Sequence, residues 1–312
     1  MILSVSYGAV PVAYHNVINA IKNVGLEEYE TLVVATRIPR VVFGVISGAA
    51  LSISGVMMQA ITRNPIADPS ILGVNTGASL FVVCGMAFFH ISSSYEYIWL
   101  AFIGASLTAV LVYGLAACGN GGITPMKLAL AGTATSIALQ SMINTIMLPN
   151  GQVMDNFRFW QVGNIGAANW DDIKTILPYF MIGFVLSIIV IHPLNAIALG
   201  DEMAISLGIN VTLTRVLAAL AGVLLCASTT ALAGPIGFVG LMVPHLVRAI
   251  VGPDLKKVIP LSALLGACLL LIADLIGRIF GRPGEIESGI ITAFLGAPVF
   301  ILIIRKVKVQ SL

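Results

Sequence analysis

Residues 37–77 read RIPRVVFGVISGAALSISGVMMQAITRNPIADPSILGVNTG. Arg37 and Arg40 flank Pro39, and about twenty apolar and small residues follow, enough for a helix rising about 30 Å through the hydrocarbon of a bilayer. The polar turn from Asn64 to Pro69 then leads into a second apolar run. Two cations at the mouth of so apolar a segment mark a membrane helix, one end of which meets something acidic.

Similar runs recur along the chain, at 39–60, 70–90, 97–117, 126–148, 173–193, 213–233, 237–251, 259–280 and 286–304. They define an all-α, polytopic helical membrane protein. One transmembrane domain covers residues 1–312, and there is no soluble domain of useful size. The span at 237–251 is short and carries Pro244, so it is kinked or crosses only in part. Composition agrees: 58% of residues are hydrophobic and 10% charged, where soluble domains average about 45–50% and about 25%. A net charge of +2 is too small to imply nucleic acid. Cys84, Cys118, Cys226 and Cys268 lie in or beside apolar runs at unrelated spacings, so they form no metal pattern and read as small buried thiols. Residues 1–31 hold a weak apolar stretch, too short to span, without the basic start or cleavage site of a signal peptide.

Loop cations set the orientation weakly. Arg63, Lys127, Arg215, Arg248, Lys256, Lys257, Arg305, Lys306 and Lys308 fall on the side taken as cytoplasmic. Lys22, Arg37, Arg40, Arg158, Lys174, Arg278 and Arg282 fall on the other. Residues 1–31 are then extracytoplasmic. Gly44, Gly48, Ser52 and Gly55 make a stripe of small residues on one helix, which serves either tight helix packing or the lining of a path. Trp99 and Trp170 sit near span ends, at the level of an aromatic belt. Trp160 belongs to the FRFWQVGNIG loop and packs there.

No span carries paired carboxylates, a His–Asp relay or a ligand cluster, so no catalytic or metal site is expected. Asp274 is the one acidic residue well inside a span, and Arg278 follows it by one helical turn. Intramembrane ions are costly and usually partnered, so Asp274–Arg278 reads as a structural pair in preference to a proton site. His192 and His245 flank prolines and read as interfacial or packing residues. In the loop from Leu199 to Gly208, Asp201 and Glu202 suit a helix N-terminus and Gly208 its stop. Two turns are not stable alone in water. Met203, Ala204 and Leu207 offer an apolar docking face, although an ordinary interhelix connection is the other reading. Pro39 fits a first helical turn, placing Arg40 at a helix N-terminus, where a cation opposes the macrodipole. Arg37 and Arg40 bind either lipid headgroups or an acidic partner.

Blocks along nearly the whole chain resemble, in order, the FecCD-type permeases, the membrane subunits of type II ABC importers for iron-siderophores, haem and cobalamin. They are the 37–77 stretch, LALAG at 128–132, FRFWQVG at 157–163, ALGDEMAISLG at 198–208, LAGPIGFVGLMVPHLVR at 232–248 and GEIESGIITAFLGAPVFI at 284–301. The resemblance implies a BtuC-like permease fold in the bacterial cytoplasmic membrane. The permease would form a homo- or heterodimer with a second permease subunit around a central path, with no cofactor of its own. Two ABC ATPase subunits would drive it, and an extracytoplasmic substrate-binding protein would deliver the ligand. Arg37, Arg40 and Arg278 would dock that binding protein. Within a cytoplasmic coupling segment at 194–212, Gly200, Asp201, Glu202, Met203, Ala204, Leu207 and Gly208 would engage the ATPase. Gly121, Gly122, Thr124 and Pro125 would belong to a cytoplasmic gate, and the helices at 126–148 and 286–304 would line the path. The loop Arg282-Pro283-Gly284-Glu285 is closer to siderophore than to cobalamin permeases. An iron(III)-siderophore is therefore the expected ligand, with haem or cobalamin as alternatives and an ion-coupled secondary transporter as the rival class. Family members have ten spans. Here Leu3 to Val10 resembles the stretch after the first of them, so a truncated start is favoured over a nine-span chain with an external N-terminus.

Overall fold

The computed structural model describes residues 4–5, 29–91, 93–118 and 124–306. Among these residues there are twelve α-helices, one short 3-10 helix (Pro69–Leu72) and no strand. The helices are α1 (Tyr29–Thr62), α2 (Val74–Phe88), α3 (Ser94–Ala117), α4 (Pro125–Met147), α5 (Gly151–Gln161) and α6 (Trp170–Ile189). They continue as α7 (Ile191–Ile197), α8 (Asp201–Ser206), α9 (Val211–Ala233), α10 (Val239–Val251), α11 (Leu255–Phe280) and α12 (Ser288–Lys306).

The opening stretch forms the central helix of the bundle. α1 packs most heavily on α11, then on α9 and α10, with further contacts to α6 and α4. Phe43, Ala50, Val56, Met57 and Met58 are fully buried along it. Between helices in lipid the hydrophobic effect adds little, and close packing and interhelical hydrogen bonds do more. A Cβ on Gly48 would lie 2.4 Å from the Gly266 carbonyl oxygen, and one on Gly55 only 1.7 Å from that of Gly240. The small-residue stripe therefore serves helix packing against α11 and α10, and it lines no path. Ser54 Oγ donates to the Gly222 carbonyl at 2.6 Å, tying α1 to α9.

Each expected span holds a helix, with four revisions. α1 begins at Tyr29, so Pro39 lies inside it and Arg40 is not at its N-terminus. The helix runs on through the proline, which gives up one backbone hydrogen bond, and the expected macrodipole penalty on Arg40 does not arise. The 70–90 span is broken at Gly73, whose φ of 68° ends the 3-10 turn before α2 begins. The FRFWQ part of the expected loop is helical as α5, capped by Asn150, whose side chain accepts from Val153 N. Only Cys226 among the four cysteines is buried, while Cys118 and Cys268 are exposed. The expected extracytoplasmic segment 1–31 lies, apart from Ser4, Val5 and the start of α1, outside the described residues.

Five helices (α1, α3, α6, α9 and α11) are long and apolar enough to cross a membrane. α2, α10 and α12 are apolar but shorter. α10, with 13 residues, reaches only about 20 Å at the helical rise. α4 is long enough but too polar to join the five, and the reason is a band of Thr133, Thr135, Ser136, Gln140, Ser141, Asn144 and Thr145.

Candidate functional site

Charged groups gather at two levels of the bundle, one around Arg37 and Arg40 within the first half of α1 and one just past its C-terminus. At the end expected to face outward, Arg40 reaches across to α11. Its Nε and Nη2 donate to Asp274 Oδ1 at 2.9 and 2.6 Å, and its Nη1 to Glu285 Oε2 at 2.6 Å. Arg278 Nη2 lies 2.8 Å from the other Asp274 oxygen and donates to Ser4 Oγ at 2.7 Å. Arg37 Nη1 donates to the Val5 carbonyl at 3.2 Å. Arg278 and Asp274 are each 1% exposed, and Arg37 and Arg40 are buried as well. The three arginines thus come together, but turned into the protein, with Asp274 shared between two of them. Glu285 stays partly exposed at the rim. Nearby, burial pushes the Glu287 carboxyl up from its ordinary value. Sequence spacing marks the Asp274–Arg278 neighbourhood, while the partnership of Arg40 with Asp274, 234 positions apart, has no local signal.

The opposite end carries the short segment between α6 and α9. Gly200, at φ 122°, opens α8, and Gly208, at φ 78°, follows its last turn, both backbone conformations that favour glycine. Leu199, Met203, Ile205 and Leu207 are well exposed there. Ala204, grouped with that face from sequence, is instead fully buried. It points toward the bundle because α8 is held on its inner side, and Ile205 takes its place outside. Arg63 Nη2 donates to Asp201 Oδ1 and to the Ile197 carbonyl. Arg215 Nη2 reaches both Asp201 oxygens, at 3.1 and 3.0 Å. Asn195 Nδ2 donates to Asp254 Oδ1 at 2.7 Å, and Asn195 Oδ1 accepts from Leu255 N at 3.0 Å. The Lys256 amide and Asn195 together hold the Asp254 carboxyl below its ordinary value. Glu202 is exposed on the same segment.

Between the two ends, α4 presents its polar band outward. Thr133, Gln140, Ser141, Asn144 and Thr145 are exposed, and Gln140 Nε2 donates to Asn144 Oδ1 at 3.2 Å. A groove of about 400 Å³ runs beside this band, lined by Thr76, Thr133, Ser136, Ile137 and Gln140 among others. Thr124 caps α4 by accepting from Lys127 N at 3.3 Å, with Pro125 as the first helical residue. Gly121 and Gly122 lie outside the described residues.

A bundle of apolar helices, one long helix with a polar outward band and an exposed short helix at one end define a membrane permease subunit. The chain belongs to the FecCD transport family, whose model matches residues 1–306. It is 40% identical over 276 residues to the ferric enterobactin transport system permease protein FepD of Escherichia coli (strain K12), covering 88% of this chain and 82% of that protein. It is 43% identical over 278 residues to the Fe(3+)-citrate import system permease protein YfmD of Bacillus subtilis (strain 168), covering 89% and 82%. Among solved structures, a metal-chelate type ABC transporter in an inward-facing conformation superposes with a TM-score of 0.80 at 26% identity, over 94% of this chain and 96% of that one.

Proposed function

We propose that this chain is one of two permease subunits of an ATP-driven importer in the bacterial cytoplasmic membrane, moving an iron(III)-siderophore inward by alternating access. The exposed coupling helix carries the reading. α8 has six residues, too few to persist alone in water, and it sets Met203 and Ile205 outward beside Leu199 and Leu207. An ATPase cleft on the cytoplasmic side would cover that face and supply the energy, since the sequence itself has no P-loop. The ferric chelates in the names of FepD and YfmD support the substrate class. The polar band of α4, with α12 beside a second permease copy, supports a hydrated path. At the outer end, a binding-protein carboxylate would replace the partly exposed Glu285 on Arg40, with Arg37 and Arg278 holding the cluster in shape.

The test is uptake of radioiron-labelled chelate into liposomes holding the permease with its partner ATPase and binding protein. Uptake requires ATP and is abolished by deleting Asp201–Gly208. Persistence without a functional ATPase would instead identify a secondary carrier. Haem or cobalamin taken up in place of the ferric chelate would overturn the substrate and leave the importer standing.

A further inference from the structure

Asp201 is the first residue of α8, and its carboxylate is held from two sides. Arg63 approaches from just beyond the C-terminus of α1, and Arg215 from the second turn of α9. Arg63 has a backbone φ of 50°, a conformation side-chain-bearing residues seldom adopt, so the chain spends some strain in leaving α1 at this point. The same Arg63 guanidinium also takes the carbonyl of Ile197, the last residue of α7. A second tether lies six residues before Asp201, where Asn195 holds the N-terminus of α11 through Asp254 and Leu255. The short stretch between the tethers contains Gly200, which has open space where a Cβ would stand, while its N–H donates to the Ile197 carbonyl and its carbonyl accepts from Ala204 N. Behind it lies a cavity of about 290 Å³, lined by Gln59, Arg63, Leu194, Asn195, Ala198 and Arg248 among others. The coupling segment thus borders a cavity between two polar tethers, with Leu194, Ile197 and Ala204 buried on its inner side. The ion pairs of Asp201 are what join its leading end to the arginines at α1 and α9.

We infer that Arg63 and Arg215 clamp Asp201 so that displacement of α8 is delivered to α1 and α9, making both arginines positioning residues for coupling. α1 is the helix on which α9, α10 and α11 pack, so a pull at Arg63 reaches the centre of the bundle. Hydrophobic docking of α8 alone would let the helix slide or rotate on its glycine without moving the spans. The inference rests on the importer reading and assigns it a transmission route.

The experiment measures ATP hydrolysed per chelate moved, in the reconstituted complex of permease, ATPase and binding protein. R63Q/R215Q retains the ATPase in the purified complex, and its ratio rises about tenfold, the scale of a typical coupling free energy. Exchanging the charges in D201R/R215D brings the ratio back toward that of the unaltered protein, whereas D201R alone does not. R215K, which keeps the charge but loses the forked geometry, falls between, and it stands in if the double variant does not fold. An unchanged ratio in R63Q/R215Q, or in R215K if only that folds, overturns the inference. So does loss of the ATPase from the complex, which would make the arginines part of the docking surface. Absence of ATP-dependent uptake in the unaltered complex is a different failure, that of the importer reading itself.

Discussion

Within the first half of α1, Asp274 is held between Arg40 and Arg278; just past its C-terminus, Asp201 is held between Arg63 and Arg215. Both triads take one arginine from α1 or its edge and a second from another helix, yet their surroundings differ. The Asp274 side chain is 0% exposed, and that of Asp201 is 40% exposed. In a buried triad each charge has given up its water, so every member depends on the others. In the Asp201 triad the Arg215 side chain is also largely buried, but Asp201 and Arg63 are open, so water and salt ions stand ready to replace a lost partner there. The same Arg–Asp–Arg set therefore makes a fixed joint at one place and a separable one at the other. The fixed joint binds α1 to α11, while the separable one sits where a moving partner is proposed to dock.

The largest effect is expected from removing the shared carboxylate of the fixed joint. D274N leaves Arg40 and Arg278 facing each other without their common counter-charge, and the destabilisation should be about 3–5 kcal/mol. Thermal unfolding in detergent would read it as a large drop in midpoint or a failure to accumulate folded protein. Replacing the whole triad by apolar residues, R40M/D274L/R278M, should recover much of the loss, because the triad then leaves no buried charge unpaired and Glu285, which loses Arg40, is open enough to be hydrated. A D274N midpoint close to that of the unaltered chain would erase the distinction between the two ends.

This contrast is only partly visible in the sequence. Hydrophobic run length placed a helix in every expected span, since the bilayer demands that backbone polar groups be satisfied within the segment. The one-turn spacing of Asp274 and Arg278 likewise showed through, as did the glycines bounding α8. The contribution of Arg40 was hidden, because its partners come from α11 and the loop after it. The proline at position 39 also misled: in water it signals a helix start, but α1 passes through it within a packed bundle. Ala204 fell on the wrong side because a two-turn helix has too few residues to fix its rotation by pattern, and the rotation is set by Arg63 and Arg215. The polar band on α4 was legible as residues, but not as a face, until its exposure was known.

A smaller effect should follow at the separable joint. D201N removes both ion pairs of α8; the exposed Arg63 pair should account for about 0.2–1 kcal/mol, and the loss of the half-open Asp201 from the more buried Arg215 should add to it while staying below the D274N effect. The loss should shrink further as salt is raised, because exposed pairs are screened. Midpoints for D201N and the unaltered chain at low and high salt would show this directly. The corresponding difference for D274N should hardly respond to salt. A D201N penalty as large as that of D274N, or one indifferent to salt, would mean that the Asp201 triad is built into the fold as firmly as the Asp274 one.

The smallest effect belongs to the Asn195–Asp254 tether of the segment carrying α7 and α8, and pH isolates it. Asp254 is held below its ordinary carboxylate value by the Lys256 amide and Asn195. A depressed value in the folded state means that the folded chain binds this proton less readily than the unfolded one. The stabilisation is therefore complete above the ordinary value and is lost as pH falls through the folded one. D254N lacks this ionisation, so the midpoint advantage of the unaltered chain over D254N should be largest near about pH 7 and should narrow toward about pH 3. If that advantage is the same at both pH values, Asp254 acts only as a neutral cap of α11. The Asn195 tether then holds without a contribution from charge, and the Asp201 clamp is the segment's one charged attachment of the two.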